Sequence, residues 1–472
     1  MLKITLIIFL VGVTLNNAVV STEKIEVSLL ESLENQETVD VVITFKQSTK
    51  PVLERVERMR FENRGHKITF LKSQLEQLAK ESQQGVISIL RGNFSSTSFQ
   101  SFWINNKLFV KNASLELVQL IGNNQDVSEI ERELIIKVDG VQDKTIPVKT
   151  NPKELGWGVL KIEADQAWNL VGGTNGEGVV VASIGTGVRH THEALRDNYR
   201  STYGWYDPYA RTRNPLDVNG HGTNTMGVLT GANGVGVAPG AQWISCRGCD
   251  EVDKSISCSL AALTSCGEWI LCPTLWNGQQ PDCSMAPNIV SISWNRGGRG
   301  NNFYKGVVDA WKAANIIPIF PIGDGGMACD TAQSPGDYEG VIGVGSTTAW
   351  NSLSPSSSRG PTSDGRIKPD TVAPGNNVQT ICKDSDTAYC SARGTGMAVP
   401  HVAGTVAILL ARDPELTYDQ VLSLLQNNAD RELEDEAVCG GTNSTTDWPN
   451  NIYGYGSINA RRALTALIVG DL

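Results

Sequence analysis

His221 stands between glycines in Gly220-His-Gly-Thr-Asn-Thr-Met-Gly227. An imidazole can take up a proton near neutral pH and return it. Nucleophilic hydrolysis asks for more: a hydroxyl for the His to activate, an acid to orient its ring, and amide donors for the oxyanion. Three further blocks could place such groups. Val179-Val-Val-Ala-Ser-Ile-Gly-Thr-Gly-Val188 reads as a strand running into a turn at Gly185. Gly394-Thr-Gly-Met-Ala-Val-Pro-His-Val-Ala-Gly404 reads as the opening of a helix, where backbone N–H groups favour negative charge. Ile322-Gly-Asp-Gly-Gly326 presents Asp324. Yet Gly185 supplies no carboxylate and Gly396 no hydroxyl. Ionised Asp324 only accepts hydrogen bonds, and it would repel a developing oxyanion. Thr395 adjoins Gly396, but one residue along a tight turn its side chain points elsewhere.

These blocks need a scaffold that brings them together. Apolar runs at Val179–Ile184, Ile289–Trp294, Ile316–Ile322 and Val341–Val344 read as strands. Phe303–Ala314, Gly396–Ala411 and Thr417–Asn428 read as helices. Continuous apolar strands alternating with helices predict an α/β doubly wound parallel sheet, buried on both faces. Loops at the carboxyl ends of such strands converge on one crevice.

The N-terminal third has a different texture. Residues 22–145 contain no Cys and are rich in Glu, Gln, Lys and Ser. Val41–Phe45 reads as a strand, Leu53–Glu81 as a helix, Phe102–Val110 as a strand or pair, Ser114–Ile121 as a short helix and Glu133–Val138 as a last strand. That order predicts a small α+β domain. Val141–Glu154 reads as a polar linker, and residues 155–472 as the second domain. Two domains also suit a chain of 472 residues.

The net charge of −10 argues against a nucleic-acid surface or an anionic membrane as partner. Lys3 followed by the apolar run Ile4–Leu15 reads as a signal peptide over residues 1–20, and hence a secreted, extracellular product. The alternative, a membrane anchor, would need about 20 apolar residues, and no later run is long enough to span. Ten cysteines agree with secretion: Cys246, Cys249, Cys258, Cys266, Cys272, Cys283, Cys329, Cys382, Cys390 and Cys439. An even number suggests disulfides of unreadable pairing. A zinc site, the other reading, lacks a second close Cys pair or a His partner. Asn93, Asn112 and Asn443 stand in Asn-x-Ser/Thr acceptor patterns for glycosylation.

The blocks around Gly185, His221 and Gly396 resemble the Asp, His and Ser motifs of the subtilase family of serine proteases, in that order. The likeness extends to Val235-Gly-Val-Ala-Pro-Gly240, Ser358-Arg-Gly-Pro361, Lys368-Pro-Asp-Thr-Val-Ala-Pro-Gly375 and Tyr453-Gly-Tyr-Gly-Ser-Ile-Asn-Ala460. Ala286–Trp294 and Val308–Pro318 are most similar to the bacillopeptidase F group. The N-terminal block is similar to an inhibitory propeptide of that group, notably at Phe102-Trp-Ile-Asn-Asn. The resemblance implies a subtilisin-type fold, with Gly185 at the Asp position, Gly396 at the Ser position and Asp324 at the position of an oxyanion Asn. Of the triad only His221 remains. Asn224 stands where a second His is usual. The strand edging the substrate cleft reads Ser293-Trp-Asn-Arg296 where the family places glycines after the Trp, and Asn295 and Arg296 would crowd an incoming peptide.

The expected function is a secreted pseudoprotease that binds a peptide, protease or inhibitor in the old crevice, its own N-terminal domain covering that crevice. The alternative is an active secreted serine endopeptidase. No cofactor and no metal ligand set is expected, and structural calcium is left open.

Overall fold

The structure, a computed structural model, describes residues 22–138, 146–147, 154–295, 298–434 and 436–470. The expected signal peptide at 1–20, Arg296, and the expected linker apart from Ile146, Pro147 and Glu154 lie outside the described residues.

In chain order the N-terminal part forms α1 (Val27–Asn35), β1 (Val39–Phe45), α2 (Lys50–Arg58), α3 (Arg64–Asn93), β2 (Phe99–Phe102), β3 (Lys107–Ala113), α4 (Leu115–Gly122) and β4 (Val127–Arg132). The β-branched run in β1 favours a strand. It pairs antiparallel with β3 and β4 in a sheet of order β2-β3-β1-β4. Ser114 caps α4 by accepting from Leu117 N. Val86, Leu90, Leu117 and Ile121 pack on the apolar face that Ile43, Leu108 and Ile130 present. One compact unit comprises Met1–Gln47, Glu81–Ser101 and Lys107–Arg132.

Two expectations need correction here. The sheet's last strand is β4, not Glu133–Val138. In Val127-Ser-Glu-Ile-Glu-Arg132 only Val127 and Ile130 are buried, three apart because the pairing with β1 shifts register between them, so no alternation of two marks the strand. The helix expected over Leu53–Glu81 is two helices. Asn63 restarts the chain as α3 by accepting from His66 N.

The second unit comprises Ser48–Lys80, Phe102–Asn106 and Glu133–Leu472, so it takes in part of the N-terminal block. It continues with β5 (Ile135–Val138), β6 (Ile146–Pro147), α5 (Trp157–Lys161), α6 (Ala164–Trp168), β7 (Val180–Gly185), β8 (Trp205–Tyr206), α7 (His221–Thr230), β9 (Gln242–Arg247), β10 (Asp250–Val252), β11 (Ser255–Ser259), α8 (Leu260–Leu271) and β12 (Ile289–Ile292). Then come α9 (Lys305–Ala313), β13 (Ile317–Pro321), β14 (Ile342–Thr347), β15 (Thr371–Pro374), β16 (Val378–Ile381), β17 (Tyr389–Ala392), α10 (Thr395–Arg412), α11 (Tyr418–Asn427) and α12 (Ala460–Val469).

Seven strands, in order β15-β14-β13-β12-β7-β9-β8, form one sheet in which every pair is parallel. This is the expected subtilisin-type sheet. Its strands are apolar on both sides because both faces are covered. Ile289, Ile319 and Val344 point into the core with α10, α11 and α12. Beside β12 and β13, Trp294 meets Tyr304 and Phe320 edge to face. Tyr304 Oη donates to Leu263 O (2.8 Å) and Trp311 Nε1 to Gly267 O (3.0 Å), tying α9 to α8.

Outside this sheet, β5 pairs antiparallel with β11, and β6 with β17. Glu133 Oε1 accepts from Ala261 N at the start of α8. The ten cysteines form five disulfides: Cys246–Cys266, Cys249–Cys258, Cys272–Cys283, Cys329–Cys439 and Cys382–Cys390. Two of them close the β10–β11 and β16–β17 hairpins.

Glu268 on α8 accepts from Trp103 N (2.6 Å) and Ile104 N (3.3 Å). Burial pushes its carboxyl up to about 8, against the opposing pull of those two N–H groups. A carboxyl raised above its ordinary 4.5 makes its full contribution to stability below that pH and loses it as pH rises through about 8. The Tm of the wild type, relative to Glu268→Gln, is therefore expected to fall across that window. Thermal unfolding of both proteins at a series of pH values measures it, and a constant gap would contradict the assignment.

Candidate functional site

The singled-out residues converge at the carboxyl ends of the parallel strands. Gly185 is the last residue of β7, Ser293 follows β12, and Asp324 lies three residues beyond β13. His221 opens α7 and Gly396 is the second residue of α10.

At Gly396 a Cβ atom would stand 3.5 Å from His221 Nε2 and 3.2 Å from Ser293 O. A hydroxyl carried there would reach the imidazole. At Gly185 a Cβ would meet nothing within 4 Å, so a longer side chain has room. His221 is 9% exposed, and neither ring nitrogen has a hydrogen-bond partner among the described residues. Burial lowers its pKa, and the field of Asp217 opposes that shift. The ring is neutral at neutral pH.

Sequence reasoning missed Asp217. Its carboxylate accepts from Gly220 N (2.7 Å), Thr223 N (2.8 Å), Thr223 Oγ1 (2.6 Å) and Thr186 Oγ1 (2.8 Å). It caps α7 and makes no hydrogen bond to the ring, so it does not orient the imidazole. An acid four residues ahead of a helix-opening His was the available signal.

Asp324 is occupied by its own chain. Oδ1 accepts from Thr395 N (3.0 Å) and Ser356 Oγ (2.8 Å), and Oδ2 accepts from Thr395 Oγ1 (2.7 Å). A carboxylate at the first turn of an 18-residue helix is well placed electrostatically. The same bonds commit Thr395, so its hydroxyl does not face His221 as a substitute nucleophile.

Pro400 explains a second contact. It carries no N–H, so the carbonyl four residues back, Gly396 O, has no helical donor. Ser293 Oγ donates to that carbonyl at 2.8 Å. Ser293 is thereby held at the cleft edge. Trp294 is buried and donates from Nε1 to Ile184 O (3.0 Å), and Asn295 is half-buried. Asn224 is turned away, with Nδ2 donating to Ile381 O (2.9 Å).

Two other histidines, His192 and His401, serve packing. His192 is buried, with Nε2 facing Ala388 O and Nδ1 accepting from Ala194 N. His401 faces Met397 O within α10, and burial pushes it down to about 4. Asn93 and Asn112 are exposed, while Asn443 is half-buried with Oδ1 accepting from Thr445 N and Oγ1.

Comparison with known proteins places this geometry in context. A model described as the subtilase family matches residues 176–456. The chain is 30% identical to Bacillopeptidase F of Bacillus subtilis (strain 168) over 488 residues, which cover 95% of this chain and 33% of that protein. It is 31% identical to Serine protease AprX of the same organism over 322 residues, 61% of this chain and 66% of that protein. It is 27% identical to Subtilisin Savinase of Lederbergia lenta over 311 residues, 65% of this chain and 97% of that protein. The chain therefore spans about a third of the length of Bacillopeptidase F.

The open space beside Gly185 can be tested directly. In Gly185→Asp the new carboxylate should raise the pKa of His221 by about one pH unit or more. NMR titration of the ring reads this out. An unchanged or lower value would show that the space does not face the imidazole.

Proposed function

This chain belongs to the subtilase family, and on that premise we propose that it is a secreted member that acts by binding rather than by hydrolysis. One observation carries the reading: the position whose Cβ would stand 3.5 Å from His221 Nε2 is a glycine, Gly396, with no hydroxyl to activate. In subtilisin, a member of the same family, loss of the nucleophile costs about 10⁶ in rate. Loss of an oxyanion donor there costs about 10²–10³. Here the donor position carries the Asp324 carboxylate, already bonded to Thr395 and Ser356. Neutral His221 lacks both the group it would deprotonate and the acid that would orient it.

The cleft's first occupant is this chain's own N-terminal block. A member without a nucleophile cannot cut itself free of that block. The strands on either side of residues 139–145 support this: β5 is paired with β11 and β6 with β17. The β10–β11 hairpin is tied to the site by Cys249 N donating to Gly185 O (3.1 Å) and by Asn219 Nδ2 donating to Glu251 (2.9 Å). Strand β17 ends three residues before Thr395. A peptide, protease or inhibitor partner would take the cleft by displacing this cover. Secretion is supported by the apolar run behind Lys3 and by five disulfides, which persist in oxidising compartments.

The test compares wild type with the triple variant Gly185→Asp, Asp324→Asn, Gly396→Ser. Purified wild type should retain the N-terminal block, start near Val20, leave casein intact and take no fluorophosphonate label. The triple variant should label at residue 396 and cut itself between residues 139 and 155. Labelling of the wild type at any Ser, or casein cleavage in proportion to its concentration, would establish the active endopeptidase instead.

A further inference from the structure

A cavity of about 360 Å³ lies at the amino ends of β12 and β13, at the opposite edge of the sheet from His221. Polar surface predominates in its lining; Phe61, Ile317, Leu410 and Leu416 supply the smaller apolar part, and Arg64 and Lys67 bring two cations to it. The proposed function uses none of these residues.

The two cations are held without a counter-ion. Arg64 donates from Nε to Ala314 O (3.2 Å), from Nη1 to Ala286 O (3.0 Å) and from Nη2 to Pro287 O. These bonds use three of the five N–H groups of a guanidinium, and every acceptor is neutral. Burial pushes the Arg64 pKa down to about 10. One turn along α3, Lys67 Nζ donates to Asn315 Oδ1 (2.9 Å). Burial also lowers the Lys67 pKa, the field of Glu57 opposes that and Arg64 adds to it. Neither cation makes an ion pair among the described residues. Glu62 and Glu415 also border the cavity, but both are exposed, and Glu62 faces His66 at 3.2 Å. A desolvated cation with neutral partners leaves free energy that an incoming anion recovers.

We propose that this cavity binds a carboxylate carried on an apolar body, its head between Arg64 and Lys67 and its body against Phe61, Ile317, Leu410 and Leu416. At about 30 Å³ per water-sized group, the space takes roughly a dozen non-hydrogen atoms. A medium-chain fatty acid and the free carboxyl end of a peptide with an apolar last residue share this chemistry. The site needs residues 59–67 in place, so it exists only while the N-terminal block stays attached. Binding would in turn favour the state that keeps that stretch docked.

Calorimetric titration of the full chain with octanoate tests the proposal, with 1-octanol as the uncharged control. Octanoate should saturate one site and bind at least about tenfold more tightly than octanol. Lys67→Gln leaves the Arg64 bonds intact and should weaken octanoate by about tenfold. Met59→Glu, at an exposed position on the cavity wall, should weaken it as well. A short Leu-ending peptide is added as free acid and as amide. Competition with octanoate by the acid alone assigns the site to chain ends, and no competition assigns it to fatty acids. Equal affinity for octanol, unchanged affinity in both variants, or no saturation by octanoate or peptide up to about 10 mM overturns the proposal.

Discussion

Helix α10 lies across β12, β13, β14 and β15 with 83% of its 18 residues buried. By length and composition it could cross a membrane, but its apolar surface is spent on the sheet. Close approach is possible because its inward positions are small: Ala398, Ala403, Gly404 and Ala407. A Cβ at Gly404 would stand 2.5 Å from Val237 Cβ. This packing fixes where the helix begins, and with it the placement of Thr395 and Gly396 against His221 and Asp324. The site is geometrically sound because the core is sound.

The same constraint separates the packed core from the residues that line the crevice. Gly185, Gly396 and Asp324 lie beyond the core, at strand ends and a helix start. A side chain at Gly185 would enter open space, and one at Gly396 would touch only the crevice. The Asp324 carboxylate lies at a helix start that favours it locally through Thr395. No side chain is needed at Gly185 or Gly396 to fill the core.

Much of this was legible in the chain. Unbroken apolar runs such as Ile317–Pro321 belong to a sheet covered on both faces, and they marked it correctly. Thr417 with Gln420 forms the capping box that opens α11. Other features depend on contacts that sequence spacing does not encode. Ile135–Val138 is more apolar than Val127–Arg132, yet the latter joins the N-terminal sheet, because pairing with β11 claims the former. Disulfide partners as far apart as Cys329 and Cys439 meet only through the fold. Ser293 could be read as a cleft residue, but its role in satisfying Gly396 O follows from Pro400 four residues further along the helix.

At Asp324 the crevice presents acceptors rather than donors. An acyl-transfer site offers donors to a carbonyl oxygen as charge develops on it. At Asp324 this one presents a carboxylate, and its hydroxyl donors, Thr395 and Ser356, are turned inward onto that carboxylate. Ser293 is likewise turned onto Gly396 O. A carbonyl oxygen brought to this place meets negative charge and no free hydroxyl. Strand β5, held along its backbone by β11 at the side of the cleft, makes no use of Asp324, so the pairing of that segment and the polarity of the crevice are independent of each other.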